Sequence, residues 1–540
     1  MKKIKTWLAA LRGSRWEYAL LCVPFLIAMT GYILYYDGYL PSAFFSAIRV
    51  YVVAVDADID ALRQAAYAGG GVREWVMFIT LGLSRWCGLA IAGTFGFQLF
   101  SRILRRSRVE RELRGKWETI ALHGSQHHTA LLAQSLGRHV ITGDAPERFR
   151  ADRHILAFDT DEQMLAYLGE NFHKFAQEKG PDGERRIRRG SVCLCVHSSA
   201  HTKYSTEGFV VNNMAEDCAR LYWREHYVRR FTGAPERRVA IIGFGHYGQA
   251  LLSHALLVNV FLAGGPGMEY HVFGDSRSYR SRHAGVKSIA SLTPVSEESG
   301  RDAVIFHDEP WEECLDLLDD MDRIILCEDD DRRNIEALGR LSEQQTPAPV
   351  HVRFHDERMV RALYPRVTDP AKRRELDIAV FGTDEQLYTR EIVLDEQLLS
   401  VAKGLHEAYM RRTGDERPLD AGWNELGTFL QRSNIMAADH MDVKLRQVLG
   451  RDCAMTKESL AAYKEALAAR IAAGRIDDCL ALEHERWMRY YLLAGWRYAE
   501  KRDNLRRLHP MLIPYDRLPE AEKGKDMDSY EQLLLMADRL

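Results

Sequence analysis

An α/β chain is predicted: two doubly wound units, the first degenerate, behind an N-terminal two-helix transmembrane region and ahead of a mainly helical C-terminal domain. Three observations in the 540 residues lead there. Two long apolar stretches occupy the first 104 residues, short β-rich runs alternate with helix-length segments over 118–381, and an aromatic, turn-rich tail follows residue 480.

The first apolar stretch, Tyr18–Tyr36, holds no charged residue, and the second, Trp75–Phe100, holds only Arg85. About 20 apolar residues cross the hydrocarbon core as a helix. Spans are therefore expected at about 16–36 and 74–102, within a transmembrane region over 1–112. Lys2, Lys3, Lys5, Arg12 and Arg15 precede the first stretch, and Arg102, Arg105, Arg106, Arg108 and Arg111 follow the second. Cytoplasmic flanks collect positive charge, so both termini are expected on the cytoplasmic side of a bacterial inner membrane. No small-residue cleavage site follows the first stretch, which argues against a signal peptide.

Between the stretches, Pro41–Val55 is mostly apolar and too short to cross and return, which suits a re-entrant or interfacial helix. Asp56, Asp58 and Asp60 follow at once. In an oligomer they would form an acidic ring that attracts cations; the alternative is a solvated loop. Arg85 either faces a cavity or partner, because a charge in lipid is costly, or marks a helix that begins later. These four are the pore candidates. The layout is similar to that of two-span potassium channels, but VAVDADID stands where a TVGYG-like filter would be needed. Potassium selectivity is not implied.

A degenerate unit is read over 115–232. Glu118–His123 is β-rich and leads into Gly124 and a helix-like run to Leu136, with further strands at His139–Thr142, His154–Phe158 and Ser191–Val196. One glycine stands where a phosphate turn needs three. His123, His127 and His128 crowd that turn without the ligand spacing of a zinc site, and no metal is expected.

The second unit, 236–400, carries a sharper signal. Val239–Ile242 runs into Gly243-x-Gly245-x-x-Gly248 and then an apolar-periodic helix. In such a turn the first glycine permits the bend, the second admits a pyrophosphate and the third allows close helix packing. The helix N-terminus faces the phosphates with partial positive charge. A second strand, Tyr270–Gly274, ends at Asp275, where an acid can take a ribose hydroxyl. Runs at Ala303–His307, Arg323–Cys327, Val350–Phe354 and Asp377–Phe381 complete a Rossmann fold. Gly243, Gly245, Gly248 and Asp275 are the candidate cofactor residues, for NAD(H) or another nucleotide. Over roughly 115–400 the pair resembles the TrkA-N/RCK regulators of potassium conductance. That resemblance implies nucleotide or ion binding and ring assembly beneath a pore, with a homotetramer expected by analogy.

In the last part, 401–540, Leu480–Leu493 reads as a helix broken at Gly495, and Leu518-Pro519-Glu520 opens another. Glu483 and Trp487, Gly495–Tyr498, His509–Tyr515, Leu518-Pro519, and Lys523 with Asp526 resemble the RyR domain, named after ryanodine receptors. Trp423, Leu426, Ser433, Asn434, His440, Lys444 and Leu445 are similar to its bacterial helical lead-in. The resemblance implies a small ligand-sensing module for nucleotide-derived signals. Trp487, Trp496, Tyr498 and Tyr515 could stack on a ligand and Arg497 and His509 could donate to an anion; alternatively the aromatics are simply core.

A net charge of −3 gives no basic character pointing to nucleic acid polymers. Nine cysteines without a CxxC pair read as reduced structural thiols. The leading functional expectation is a ligand-gated, channel-like membrane effector whose Rossmann and RyR modules sense a small nucleotide-like molecule. Since bacterial RyR relatives often resemble defence effectors, a defence role is a corollary. A membrane-anchored sensor without a pore is the alternative. An NAD(P)-dependent oxidoreductase is a third reading, although no Tyr-x-x-x-Lys pair occurs.

Overall fold

The computed structural model describes residues 16–52, 56–90, 118–137, 139–142, 151–176, 178–179, 185–188, 190–198, 209–262, 267–296, 299–344, 346–363, 377–394 and 397–536. It divides into two compact units, Met1–Lys116 and Trp117–Leu540.

In the first unit, α1 (Trp16–Tyr35), α2 (Leu40–Arg49), α3 (Ile59–Tyr67) and α4 (72–90) enclose a small core of Ala28, Tyr32, Ala43, Ala47 and Leu81. The three aspartates are committed locally. Asp56 accepts from Ser46 Oγ at 2.6 Å and pairs with Arg49 at 2.7 Å. Asp58 caps α3 through the backbone N–H groups of Asp60 and Ala61, and Asp60 stands 3.5 Å from Arg63. Arg85 is exposed on α4.

The expected transmembrane region is corrected here. Among the described residues, no helix is long and apolar enough to cross a membrane. The physical reason is charge in α4: it begins before the second apolar stretch, takes in Arg73 and Glu74 as well as Arg85, and its Arg73 donates to the Leu34 carbonyl at 2.6 Å. The basic flanks and positions 91–102 lie outside the described residues.

The second unit holds two parallel sheets. The first has the order β2-β1-β3-β4-β5, from β1 (Ile120–Gly124), β2 (Val140–Thr142), β3 (Arg153–Ala157), β4 (Val192–Val196) and β5 (Phe209–Asn213). Helices α5 (Gln126–Leu136), α6 (Asp161–Phe175) and α7 (Met214–Glu225) accompany it. The second sheet has the order β8-β7-β6-β9-β10-β11. Its strands are β6 (Arg238–Ile242), β7 (Glu269–Phe273), β8 (Ala303–His307), β9 (Arg323–Leu326), β10 (Val350–Arg353) and β11 (Ile378–Phe381). Both orders are those of doubly wound folds, with the switch point of the second sheet between β6 and β9. Around that sheet lie α8 (His246–Val258), α9 (Arg277–Arg282), α10 (Val286–Ile289) and α11 (Asp331–Gln344).

The C-terminal part is helical, with α12 (Gln397–Thr413), α13 (Thr428–Asp439), α14 (Met441–Leu449), α15 (Lys457–Ala472), α16 (Asp477–Leu493) and α17 (Met527–Met536). It docks on the α/β part. One apolar core runs from Ile120 through Tyr222 and Trp223 on α7 and Leu251 and Leu252 on α8 to Tyr490 and Trp496. Arg220 on α7 donates to both carboxylate oxygens of Asp439 on α13, at 2.7 and 2.9 Å. His254 on α8 lies 3.7 Å from the same carboxylate, and burial holds its imidazole down to about 4. Arg489 on α16 bonds Asp302 at 2.5 Å, and His440 meets the Val260 carbonyl at 2.9 Å. Gly285, at the start of α10, lies so close to the end of α16 that a Cβ there would meet the Leu492 carbonyl oxygen at 1.8 Å.

Removing one member of a buried ion pair strands its partner, at a cost of about 3–5 kcal/mol. Asp439→Ala is therefore expected to lower stability by about that much in urea denaturation. Arg220→Met with Asp439→Leu should recover most of the loss. A single-variant loss below about 1 kcal/mol would show that the pair does not hold the docking.

Candidate functional site

Two places bring the sequence candidates together. At the first, β6 is followed by Gly243 at φ +93°, and a Cβ there would meet the Glu328 backbone nitrogen at 2.5 Å. Gly248 brings α8 against the turn, since a Cβ on it would lie 2.1 Å from the Gly243 carbonyl oxygen. The turn thus has the shape that accepts a pyrophosphate.

The place of the phosphate is taken, however. Asp329, just after β9, accepts from the backbone N–H groups of His246 at 3.0 Å and Tyr247 at 3.4 Å. A Cβ on Gly245 would stand 2.3 Å from the same carboxylate. Asn334 holds this loop in place: fully buried, it accepts from Glu328 N–H and donates to the carbonyls of Glu328 and Arg353, each within 3.0 Å. Asp275 is likewise engaged. Arg277 grips both of its oxygens, at 3.0 and 2.7 Å, and holds its carboxyl down to about 2. As folded, the turn does not fit a dinucleotide: its two leading N–H donors already bond an anion, and the ribose acid is paired with its own arginine.

The second place is the end of α16 and the segment after it. Trp487 and Tyr491 stand 4.4 Å apart between ring centroids, and His509 lies 5.1 Å from Trp487 and 5.4 Å from Tyr491. Trp496 joins at 5.0 Å from Tyr491 and stacks on Phe429, and it is buried, as are Tyr491 and His509. Tyr515 reaches this group through His484, which lies 5.5 Å from Trp487 and 6.2 Å from Tyr515 between ring centroids. Arg497 and Tyr498 are exposed on the two-residue strand β12 (Arg497–Tyr498), paired with β13 (Leu508–His509). Burial, with Arg502 and Lys525 nearby, holds His509 down to about 4 against the pull of Glu522. The result is an aromatic floor in which half-buried Trp487 lies over the buried Tyr491 and His509, with cations beside it.

Beneath that floor lies a buried charge cluster. Lys444 and Arg486 each reach Glu483 at 2.7 Å. Burial opposes ionisation of Glu483, yet Arg486 and Lys444 hold its carboxyl down to about 2. Asp526 goes the other way: burial and the Glu483 charge push it up to about 8.

The three histidines around the turn after β1 do not gather. His123 meets His154 at 3.1 Å and Tyr167 at 2.8 Å, whereas His127 and His128 point to Asp384 at 3.2 and 3.3 Å. Among the described residues, no group of His, Cys, Asp or Glu has metal-holding geometry. Sequence reasoning missed Asp329, Tyr491, Arg502 and Lys525. The run of acids from Glu328 to Asp331, directly after a strand at the switch point, was the available signal for the first.

Comparison with known proteins agrees with one part of this. Residues 475–537 match the RyR domain family. No curated protein matches the chain in sequence. Among solved structures it is similar to a GsuK mutant, at 14% identity and a TM-score of 0.28 over 69% of this chain and 96% of that one. It is also similar to GsuK bound to ADP, at 14% identity and 0.27 over 68% and 94%. A Pyrococcus horikoshii protein follows at 13% and 0.21, over 65% and 99%. Superposition at this level decides neither overall arrangement nor ligand.

The charge cluster sets a pH dependence. A carboxyl raised from 3.8 to about 8 contributes stability below about 3.8 that is lost as pH rises through about 8. Glu483 contributes the opposite way, and only below its ordinary 4.5 does its share fall away. Below about 6.5 the depressed imidazoles of His440, His484 and His509 add a slope of the opposite sign, so the Asp526 slope is the one to read between pH of about 7 and about 8. Asp526→Asn is expected to flatten the decline in Tm across that window. An unchanged slope in the variant would rule Asp526 out as its source.

Proposed function

We propose that this chain is a regulatory sensor of an anionic, nucleotide-type small molecule. The RyR-matching domain is the binding part, and the second α/β unit is the part that responds. One observation carries the reading: a single helix, α16, presents Trp487 and Tyr491 to the aromatic floor and Arg489 and Leu492 to the α/β unit. Flat aromatic faces suit a nucleobase, and the neighbouring Arg502 and Lys525 suit a phosphate. Trp487, half-buried over Tyr491 and His509, offers the stacking face, and the His509 Nδ1 is engaged by the Met511 N–H at 3.1 Å, so the arrangement favours binding over proton transfer. A dehydrogenase would need a resident dinucleotide at Gly243–Gly248, where Asp329 now lies.

A ligand moves an equilibrium only by its differential affinity for the two states. Here the difference would arise from where α16 sits against α8 and α10.

The test is a thermal-shift series on the full chain with ADP, NAD and cyclic dinucleotides. A ligand at a hundredfold its Kd stabilises by about 2.7 kcal/mol. Arg502→Glu is expected to weaken the active compound by about ten-fold or more while leaving the ligand-free Tm unchanged. Undiminished binding in that variant would remove the RyR-matching domain as sensor. Failure of every nucleotide in the series would remove the ligand class.

A further inference from the structure

The glycine turn and its contents disagree, and the disagreement is informative. The backbone is that of a phosphate cradle: a left-handed Gly243, a helix N-terminus at His246, and room above Gly245 where any side chain would collide. The occupant is the chain's own carboxylate. We propose that Asp329 is a built-in substitute for the phosphate, and that this residue determines why the turn takes no dinucleotide.

Three observations support this independently of one another. Asp329 engages two successive N–H groups at the start of a 13-residue helix, the groups to which a phosphate would bind. The loop that delivers it is clamped by the buried Asn334 through three hydrogen bonds, so the carboxylate is held rather than merely nearby. Beside the turn, the buried Phe244 ring packs 5.1 Å from Tyr279 and 6.0 Å from Phe306, which fills the flank toward β7 and β8. A fixed anion at a helix N-terminus supplies the charge complement that a ligand otherwise brings. The helix then keeps its ligand-bound position with no ligand, and α8 becomes a constant platform for the domain docked on it.

The experiment titrates inorganic pyrophosphate and ADP into the full-length wild type, Asp329→Asn and Asp329→Gly by calorimetry. Asp329→Gly should bind about ten-fold or more tightly than wild type, with Asp329→Asn between them. Adding Gly245→Val to Asp329→Gly should abolish the gain, which places it at the turn rather than at the aromatic floor. Folded variants with no gain, or a wild type whose binding is as tight and equally sensitive to Gly245→Val, would overturn the proposal. A second reading needs no ligand. Gly245→Ala should lower the urea midpoint of the wild type clearly and that of Asp329→Gly much less, because the methyl collides with the carboxylate. Equal shifts in both backgrounds would show that the carboxylate is not seated there.

Discussion

The pair between Arg220 and Asp439 is the contact on which the larger unit's architecture turns. It joins α7, which closes the first sheet, to α13 of the C-terminal part, with His254 of α8 alongside. A guanidinium and a carboxylate taken out of water repay their desolvation only with good geometry, and the two-pronged bond supplies it. Apolar packing alone would tolerate sliding of one helix along another. A buried, directional pair selects one register, and the continuous core from Ile120 to Trp496 is built in that register.

With the register set, α8 serves two neighbours. Its N-terminus lies under Asp329, and its flank carries α7 and the C-terminal helices. A cofactor-dependent unit would leave this helix sensitive to whether its ligand is present. Here the anion is covalently part of the chain, so the effective concentration is fixed. In the RyR-matching domain, buried Lys444 and Arg486 share one carboxylate while burial and the Glu483 charge push Asp526 up to about 8. Such a crowded set of charges has few ways to rearrange at small cost.

Much of the α/β character was legible because parallel strands buried on both faces read as unbroken apolar runs. Ala303–His307 is a strand as read, and the run at Val239–Ile242 lengthens by one residue to Arg238–Ile242. Strand order was not legible, since it depends on pairings between distant segments. β5 (Phe209–Asn213) escaped notice because its two asparagines break the apolar run. The transmembrane reading failed at the second stretch because an apolar run counted from Trp75 left out Arg73 and Glu74, which belong to the same helix. Asp329 was hidden for a related reason: in a row of acids nothing local says which one turns toward a helix. Tyr491 was hidden because it is itself part of the buried core of its helix.

The approach of Leu492 to Gly285 has a mechanical meaning. Side chains at an interface act as springs, because rotamers can change and absorb a displacement of an ångström or so. Where main chain bears directly on main chain there is nothing to compress. A small advance of α16 at that point passes to α10 almost undiminished, which makes the joint stiff along one axis while the exposed loops around it remain compliant.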